Sequence, residues 1–213
     1  MSDFKVITPK RDIARELARR YSTMTHDELD ILESILEPIK YGKGEKILVE
    51  GEVCRNISYI EKGLVRQFYT KYDKEVTEHL GVDHSIFMCI ESLFKETPSY
   101  LQVEALEPTL VYALPKAKLE AAAMRNVNIQ MLYRKILEES LIQSQVHADL
   151  MRFETAPNKY KRLCEMNPQV VLRAPLTYIA NYLQMTPETL SRIRSNTCLL
   201  YTSPSPRDRT RSR

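Results

Sequence analysis

All five glycines of this chain, Gly42, Gly44, Gly51, Gly63 and Gly81, fall between residues 42 and 81. Glycine admits the positive φ angles that tight connections between strands require. The runs between them are short, apolar and β-branched: Ile47-Leu48-Val49, Ile57 to Ile60, Leu64 to Tyr69 and Val76 to Leu80. Val103, Ala105, Leu110 and Val111 carry the same texture through Tyr100 to Leu114. About eight short strands so closely spaced predict a β-roll or jelly roll. They exclude a parallel sheet, whose crossovers need a dozen or so residues between strands. After Pro115 there is no glycine, and the pattern turns helical.

Ahead of the roll, Thr25-His26-Asp27-Glu28 is a capping box, in which the threonine hydroxyl and the glutamate satisfy orphan N–H groups reciprocally. It predicts a helix carried by Leu29, Leu32, Ile35 and Leu36 and stopped by Pro38. The expected fold class is therefore α+β: N-terminal helices and a β-roll (double-stranded β-helix or jelly roll), a long helix, and a C-terminal helix-turn-helix. The expected boundaries are 1–117, 118–154 and 155–197, with 198–213 as a tail outside the fold.

The long helix carries two apolar stripes. Ile129, Leu132, Ile136, Glu139, Gln143, Val146, Leu150 and Phe153 alternate spacings of three and four, a heptad seam. Tyr133, Leu137 and Leu141 form the second stripe, placed to lie on the roll. A helix packed only on its own domain needs one such face, so the pair predicts a homodimer. Its expected seam is Ile129, Leu132, Ile136, Val146, Leu150 and Phe153. Glu139 and Gln143 would cost stability there while fixing register.

Residues 176–195 read LTYIANYLQMTPETLSRIRS. Ile179 and Leu183 give a short helix its buried face, and Ala180 is small where a second helix must cross. Gln184-Met185 makes a turn in which Gln184 must tolerate a left-handed backbone. Thr186-Pro187-Glu188 is a helix start: a threonine cap, proline at the first helical position and a carboxylate near the positive dipole end. Leu190 and Ile193 point inward, leaving Thr189, Ser191, Arg192 and Arg194 outward. This is the spacing of a helix-turn-helix, whose second helix enters a DNA major groove.

A glycine-punctuated roll, a heptad helix and a terminal helix-turn-helix together resemble the Crp–Fnr superfamily of bacterial transcription regulators. EGEVCRNISYIEKGLVRQFY, from Glu50 to Tyr69, is similar to the first hairpins of that family's cyclic-nucleotide-binding-like domain. YIANYLQMTPETLSRIR is similar to its reading head, in the TPExLSRIR version of Bacteroidetes-type members. The resemblance spans roughly residues 20–195. It implies a cytoplasmic homodimer that binds double-stranded DNA under control of a sensor domain, with RNA polymerase as a further partner, and it implies no enzyme. Glu188 and Arg192 fall on the family's base-reading positions, where a carboxylate accepts from cytosine and a guanidinium binds guanine. Thr186, Thr189, Ser191 and Arg194 are then phosphate anchors. Pro187 stands where other members place a further arginine, so the operator should differ from theirs. The family's cyclic-nucleotide pocket uses Gly-Glu and Arg-Ser or Arg-Thr pairs, and Met88 to Ala105 has neither. Glu91 approximates the glutamate, Ser99-Tyr100 stands where arginine is expected, and no Lys or Arg occurs from Glu96 to Pro115. This argues against cyclic AMP and leaves an unidentified small-molecule effector open.

Charge sharpens the division. From Cys198 the chain reads CLLYTSPSPRDRTRSR, without helical or strand period, and Arg207, Arg209, Arg211 and Arg213 there, against Asp208, account for the whole +3 net charge of the protein. CLLYTSPSPRD resembles a translated transposon adapter from sequencing libraries, so residues from about Cys198 are expected to be read-through after a truncated gene, with the native C-terminus lost beyond about Asn196. Residues 1–154 carry net −4 and residues 155–197 net +4, an acidic body with a basic C-terminal module.

The remaining features point away from other chemistry. No run approaches 18 apolar residues, so no membrane helix is expected, and the N-terminus lacks a signal peptide's apolar block. Cys54, Cys89 and Cys164 are scattered and expected to be small buried residues, neither a disulfide framework nor a cluster site. His79 and His84 with Glu78 lack the H-x-H spacing of a cupin metal site, and no metal or cofactor is expected. A ligand-binding or protein-interaction module without DNA binding is the alternative, and a cupin-like enzyme the third reading.

Overall fold

The structure, a computed structural model, describes residues 7–201. Helix α1 (Lys10–Tyr21) buries Ile13, Ala14, Leu17, Ala18 and Tyr21 along one stripe. Helix α2 (His26–Ile35) starts at the expected capping box, with Thr25 N–H donating to Glu28 Oε2 at 2.8 Å and Glu28 N–H to Thr25 Oγ1 at 3.3 Å. It stops because the residues before Pro38 turn extended. Pro38 lies in strand β1 (Glu37–Tyr41), on a sheet edge where its missing N–H costs no ladder bond.

Next come β2 (Lys46–Leu48), β3 (Asn56–Lys62), β4 (Leu64–Lys71), β5 (Lys74–Val82), β6 (Ile86–Phe87), α3 (Ile90–Lys95), β7 (Gln102–Ala105) and β8 (Thr109–Pro115). They form two four-stranded antiparallel sheets, ordered β1-β8-β3-β6 and β2-β7-β4-β5, which is the expected roll. The connection from β3 to β4 is Gly63 alone. Its φ is 135°, and a Cβ there would collide with the Thr109 side chain, so only glycine fits. Helix α3, six residues long, is too short to show a period in the sequence.

The helical part consists of α4 (Lys116–Ala123), α5 (Val127–Phe153), α6 (Ala156–Met166), α7 (Pro168–Arg173), α8 (Leu176–Tyr182) and α9 (Pro187–Tyr201). Helix α9 runs past Cys198, where no period was expected. Extending a nucleated helix gains a bond per residue fixed, and Leu199 and Leu200 are good helix formers. Residues 202–213, with the four tail arginines, lie outside the described residues.

Three cores stack through the molecule. Between the sheets lie Ile60, Val65, Phe87, Cys89, Val103 and Val111. The outer face of the β1-β8-β3-β6 sheet presents Ile57, Tyr59, Leu110, Tyr112 and Leu114 to α1, α2, α4 and the first half of α5. The outer face of the other sheet presents Leu80 and Val82 to α6, α8, α9 and Met151 of α5. Both faces of each sheet are covered, which is why β3, β4 and β8 read as nearly continuous apolar runs rather than strict alternations.

This stacking corrects half of the expected seam. Ile129, Leu132 and Ile136 are at most 2% exposed, packed with Leu17, Tyr21 and Leu32 of their own chain. They belong to the same face of α5 as Tyr133 and, two turns or more further on, His147 and Met151, so one side of the helix serves its own chain throughout. Val146 and Leu150 are half-buried and Phe153 is exposed. Glu139 is no seam residue either: it accepts from Tyr21 Oη at 2.7 Å and from Arg20. Burial, then this bond, pushes the Tyr21 phenol well above its ordinary range.

Candidate nucleic-acid interface

Helix α8 ends in a Schellman motif. Met185 N–H donates to Ala180 O at 2.9 Å and Gln184 N–H to Asn181 O at 3.1 Å, around Gln184 at φ 54°. Gln184 does adopt the left-handed conformation that the sequence requires of it. Helix α9 then starts on its threonine cap: Thr189 N–H donates to Thr186 Oγ1 at 3.2 Å, and Leu190 N–H to Thr186 O at 3.0 Å. Ile179, Ala180, Leu183 and Leu190 are fully buried, with Ile193 packed against them. Removing these apolar positions from water fixes the helix pair, and α9 packs on α8 and α6.

The face this leaves outward is polar. Glu188, Ser191, Arg192 and Ser195 lie at helical spacings of three and four, and all four are exposed, as is Thr186. Thr189 is half-buried at one flank. Arg194, also half-buried, turns toward the other, so it does not share the Glu188–Arg192 stripe. Hydrogen bonds from its own backbone N–H and from Thr186, with Arg192's charge beside it, hold the Glu188 carboxyl below its ordinary range. An ionised acceptor and a guanidinium thus stand one turn apart on an exposed helix start.

The opposite side of this helix pair is anchored to the roll by groups the sequence reading passed over. Arg66 of β4 is 1% exposed and lies between the rings of Phe68 and Tyr178, 4.2 and 3.9 Å from their centroids. Its guanidinium donates to Thr77 Oγ1 at 2.9 Å, Glu75 at 2.8 Å and Glu104 at 3.2 Å. Asn181 of α8 extends β5's bonding: its Oδ1 accepts from Thr77 N–H and its Nδ2 donates to Glu75 O at 2.6 Å. Arg173, at the end of α7, donates to Asp83 at 2.8 Å, to Gly63 O at 2.8 Å and to Glu107. The signal for these contacts was present but faint. An arginine inside the run Leu64 to Phe68 and an asparagine in the last turn of a short helix are both residues that need a specific partner there.

Between the sheets a cavity of about 460 Å³ is lined by Ser58, Phe87, Val103 and Val111, with Glu52 and Arg55 as its charged wall. Cys54 and Cys89, expected to be scattered, meet on its lining. Glu91 is not on this lining: it pairs with Lys95 at 2.8 Å on the surface of α3. Ser99 bonds Leu101's backbone, and exposed Tyr100 stands edge-on to Tyr69, their centroids 5.6 Å apart. The histidines are parted: His84 bonds Tyr59 Oη at 2.8 Å and Glu16 at 3.1 Å, whereas His79 faces His147. Among the described residues no group of three or more His, Cys, Asp or Glu is placed to hold a metal, and no helix is long and apolar enough to cross a membrane.

The profile of the cyclic nucleotide-binding domain family matches residues 38–126, from β1 to the loop before α5. Residues 38–126 are thus similar to a cyclic nucleotide-binding domain. Solved structures of Crp/Fnr regulators share the fold of that domain together with its helices. FixK2 from Bradyrhizobium japonicum is 22% identical at TM-score 0.68, covering 81% of this chain and 90% of its own. The catabolite activator protein of Thermus thermophilus is 21% identical at TM-score 0.52, covering 89% and 90%. The c-di-GMP-responsive global regulator CLP of Xanthomonas campestris is 9% identical at TM-score 0.62, covering 83% and 93%. Comparison with curated protein sequences gives no match.

Proposed function

We propose that the chain is a sequence-specific DNA-binding transcription regulator. The observation that carries this reading is the outward face of α9: Glu188, Ser191 and Arg192 exposed on one stripe behind a threonine cap, while buried Ile179, Leu183 and Leu190 hold the helix pair rigid. A major groove accepts such a helix start, with Arg192 suited to guanine and Glu188 to cytosine. Thr186, Thr189 and Arg194 flank the stripe at the height of the phosphates. The Crp/Fnr fold of the neighbours supports the same reading.

The working unit in this proposal is a homodimer, joined through the part of α5 that the chain does not cover itself. Ile142, Val146, Leu150 and Phe153 are exposed or half-buried and recur at helical spacing. Two reading heads then address half-sites about 34 Å apart. A small molecule or protein engaging the roll shifts the balance between heads anchored on β5 and heads set for DNA.

Operator selection from random duplexes, followed by titration in rising salt, tests this. Affinity should fall steeply with salt as phosphate counterions are released. Arg192→Ala should reduce discrimination at one base pair by about 1–3 kcal/mol, and Ile142→Glu should leave a monomer in sedimentation. A flat salt dependence, or selection that yields no preferred sequence, overturns the reading.

A further inference from the structure

The cavity between the sheets brings together two sulfurs. Strand β3 pairs with β6 so that Ser58 opposes Phe87 and Tyr59 opposes Ile86. Continued outward, this register sets Asn56 against Cys89, with Cys54 next along the same face. Both thiols line the cavity and both are free; Cys54 Sγ donates to Asn56 O at 3.5 Å, and the two side chains lie within hydrogen-bonding reach of each other. Each is also held from behind. Ser92 Oγ accepts from Cys54 N–H at 2.9 Å and donates to Thr97 O at 2.6 Å. Gln67 Nε2 donates to Cys89 Sγ at 3.6 Å.

The two sulfurs are not equivalent. Hydrogen bonding from the Cys89 thiol, and then from the backbone of Cys89 and Asn56, lowers the pKa of the Cys54 sulfur against the opposing effect of burial. Cys89, which donates its proton to that sulfur and is itself buried, is pushed up. Two sulfurs within reach of each other, the more readily ionised one beside a protonated thiol, in a cavity far larger than the ~30 Å³ of a water-sized molecule, form the arrangement of an attacking and a resolving cysteine.

We propose that Cys54 and Cys89 form a modification site for a hydroperoxide, which enters the roll cavity and leaves an intramolecular disulfide. The Cys54 thiolate attacks one peroxide oxygen; the O–O bond breaks, Cys54 becomes a sulfenic acid, and the departing hydroxide takes the Cys89 proton to become water. The Cys89 thiolate then attacks the Cys54 sulfur. The S–O bond breaks, the S–S bond forms, and the second hydroxide leaves as water with the proton that Cys54 had released on ionising. Two thiols lose two electrons to one hydrogen peroxide, giving one disulfide and two waters. The disulfide ties the entry of β3 to the exit of β6 across the cavity wall. This site does not depend on the DNA-binding reading.

The test treats the full chain, and a form with Cys164→Ser and Cys198→Ser, with one equivalent of hydrogen peroxide. Intact mass should drop by two hydrogens, with a Cys54–Cys89 linked peptide that dithiothreitol releases. In Cys89→Ser, dimedone should trap a sulfenic acid on Cys54. In the unmodified chain, Cys54 should be consumed more than about tenfold faster than Cys164, because attack follows the thiolate fraction. Peroxide that consumes Cys164 without forming the linked peptide overturns the proposal, and so does dimedone found on Cys89 instead of Cys54. The peptide map of the unsubstituted chain reads this outcome whether or not the variants fold.

Discussion

The two outer faces of the roll are both covered by helices, and they are covered differently. On the β1-β8-β3-β6 face the contact is mainly hydrocarbon, with polar bonds such as Lys118–Glu37 at its margin: Ile57, Leu110 and Leu114 pack against Leu17, Leu32, Leu119 and Leu132, all at most 1% exposed. On the β4-β5 face a small apolar patch around Leu80 is ringed by polar joints, through Arg66 and Tyr178, Asn181 and Thr77, and Arg173 with Asp83 and Glu107. Apolar burial is non-directional and strong in sum, so the first face is a permanent part of the fold. Polar joints exchange with water at little net cost, so the second face can part without unfolding either side. The helix pair with the exposed Glu188–Arg192 stripe sits on the face that can part.

The largest effect that would sharpen this comparison is expected from Leu132→Ala. Leu132 is fully buried in the apolar contact, and truncation there should cost about 2–5 kcal/mol in urea unfolding. The loss should be independent of protein concentration, since the side chain is covered by its own chain. A concentration-dependent loss would return Leu132 to a dimer seam.

That seam also shows what the sequence could convey. Period alone identifies which residues of α5 are apolar, but a stripe of Ile129, Leu132 and Ile136 looks the same whether a second copy or α1 covers it. Only the placement of Leu17 and Tyr21, distant in sequence, decides. The helix pair was legible because its determinants are local: Thr186 caps its own helix, Gln184 turns its own backbone, and Leu190 meets Ile179 a few residues away. The polar joints were only faintly legible: the residue types ask for a partner, but Arg66 finds Tyr178 and Asn181 finds Thr77 across more than a hundred residues. For the same reason Cys54 and Cys89 could only be seen as scattered.

The second effect concerns pH. His79 on β5 has its Nε2 shielded from solvent without a hydrogen-bond partner, and it faces His147 of α5, whose ring stacks on Tyr182 of α8 at 4.6 Å. Burial, then the His147 charge, lowers His79 to about 4, and burial with Lys159 lowers His147 as well. Both are held neutral when folded, so between pH 6.5 and about 4 the unfolded chain binds more protons. Stability is therefore complete above the ordinary histidine range and is lost as pH falls through it, by roughly 3 kcal/mol for His79. Amide exchange in α8 and β5 should rise over that window before exchange in α1 and α2. Simultaneous loosening of both faces would break the contrast between them.

The smallest effect is the most specific. Asn181→Ala removes both bonds that join α8 to the backbone of β5 and leaves Thr77 N–H without an acceptor, a loss of about 1–2 kcal/mol. Most of this should appear as freer motion of the helix pair on the roll, not as unfolding. The urea midpoint of the apolar face, followed at Tyr21 and Tyr112, should then stay near its original value. If the helix pair is restrained on β5 by such polar joints, Asn181→Ala should bind a selected operator somewhat more tightly than the parent chain. Equal or weaker binding would mean that the docked arrangement is itself the one that meets DNA, and the two faces of the roll would then differ in chemistry but not in role.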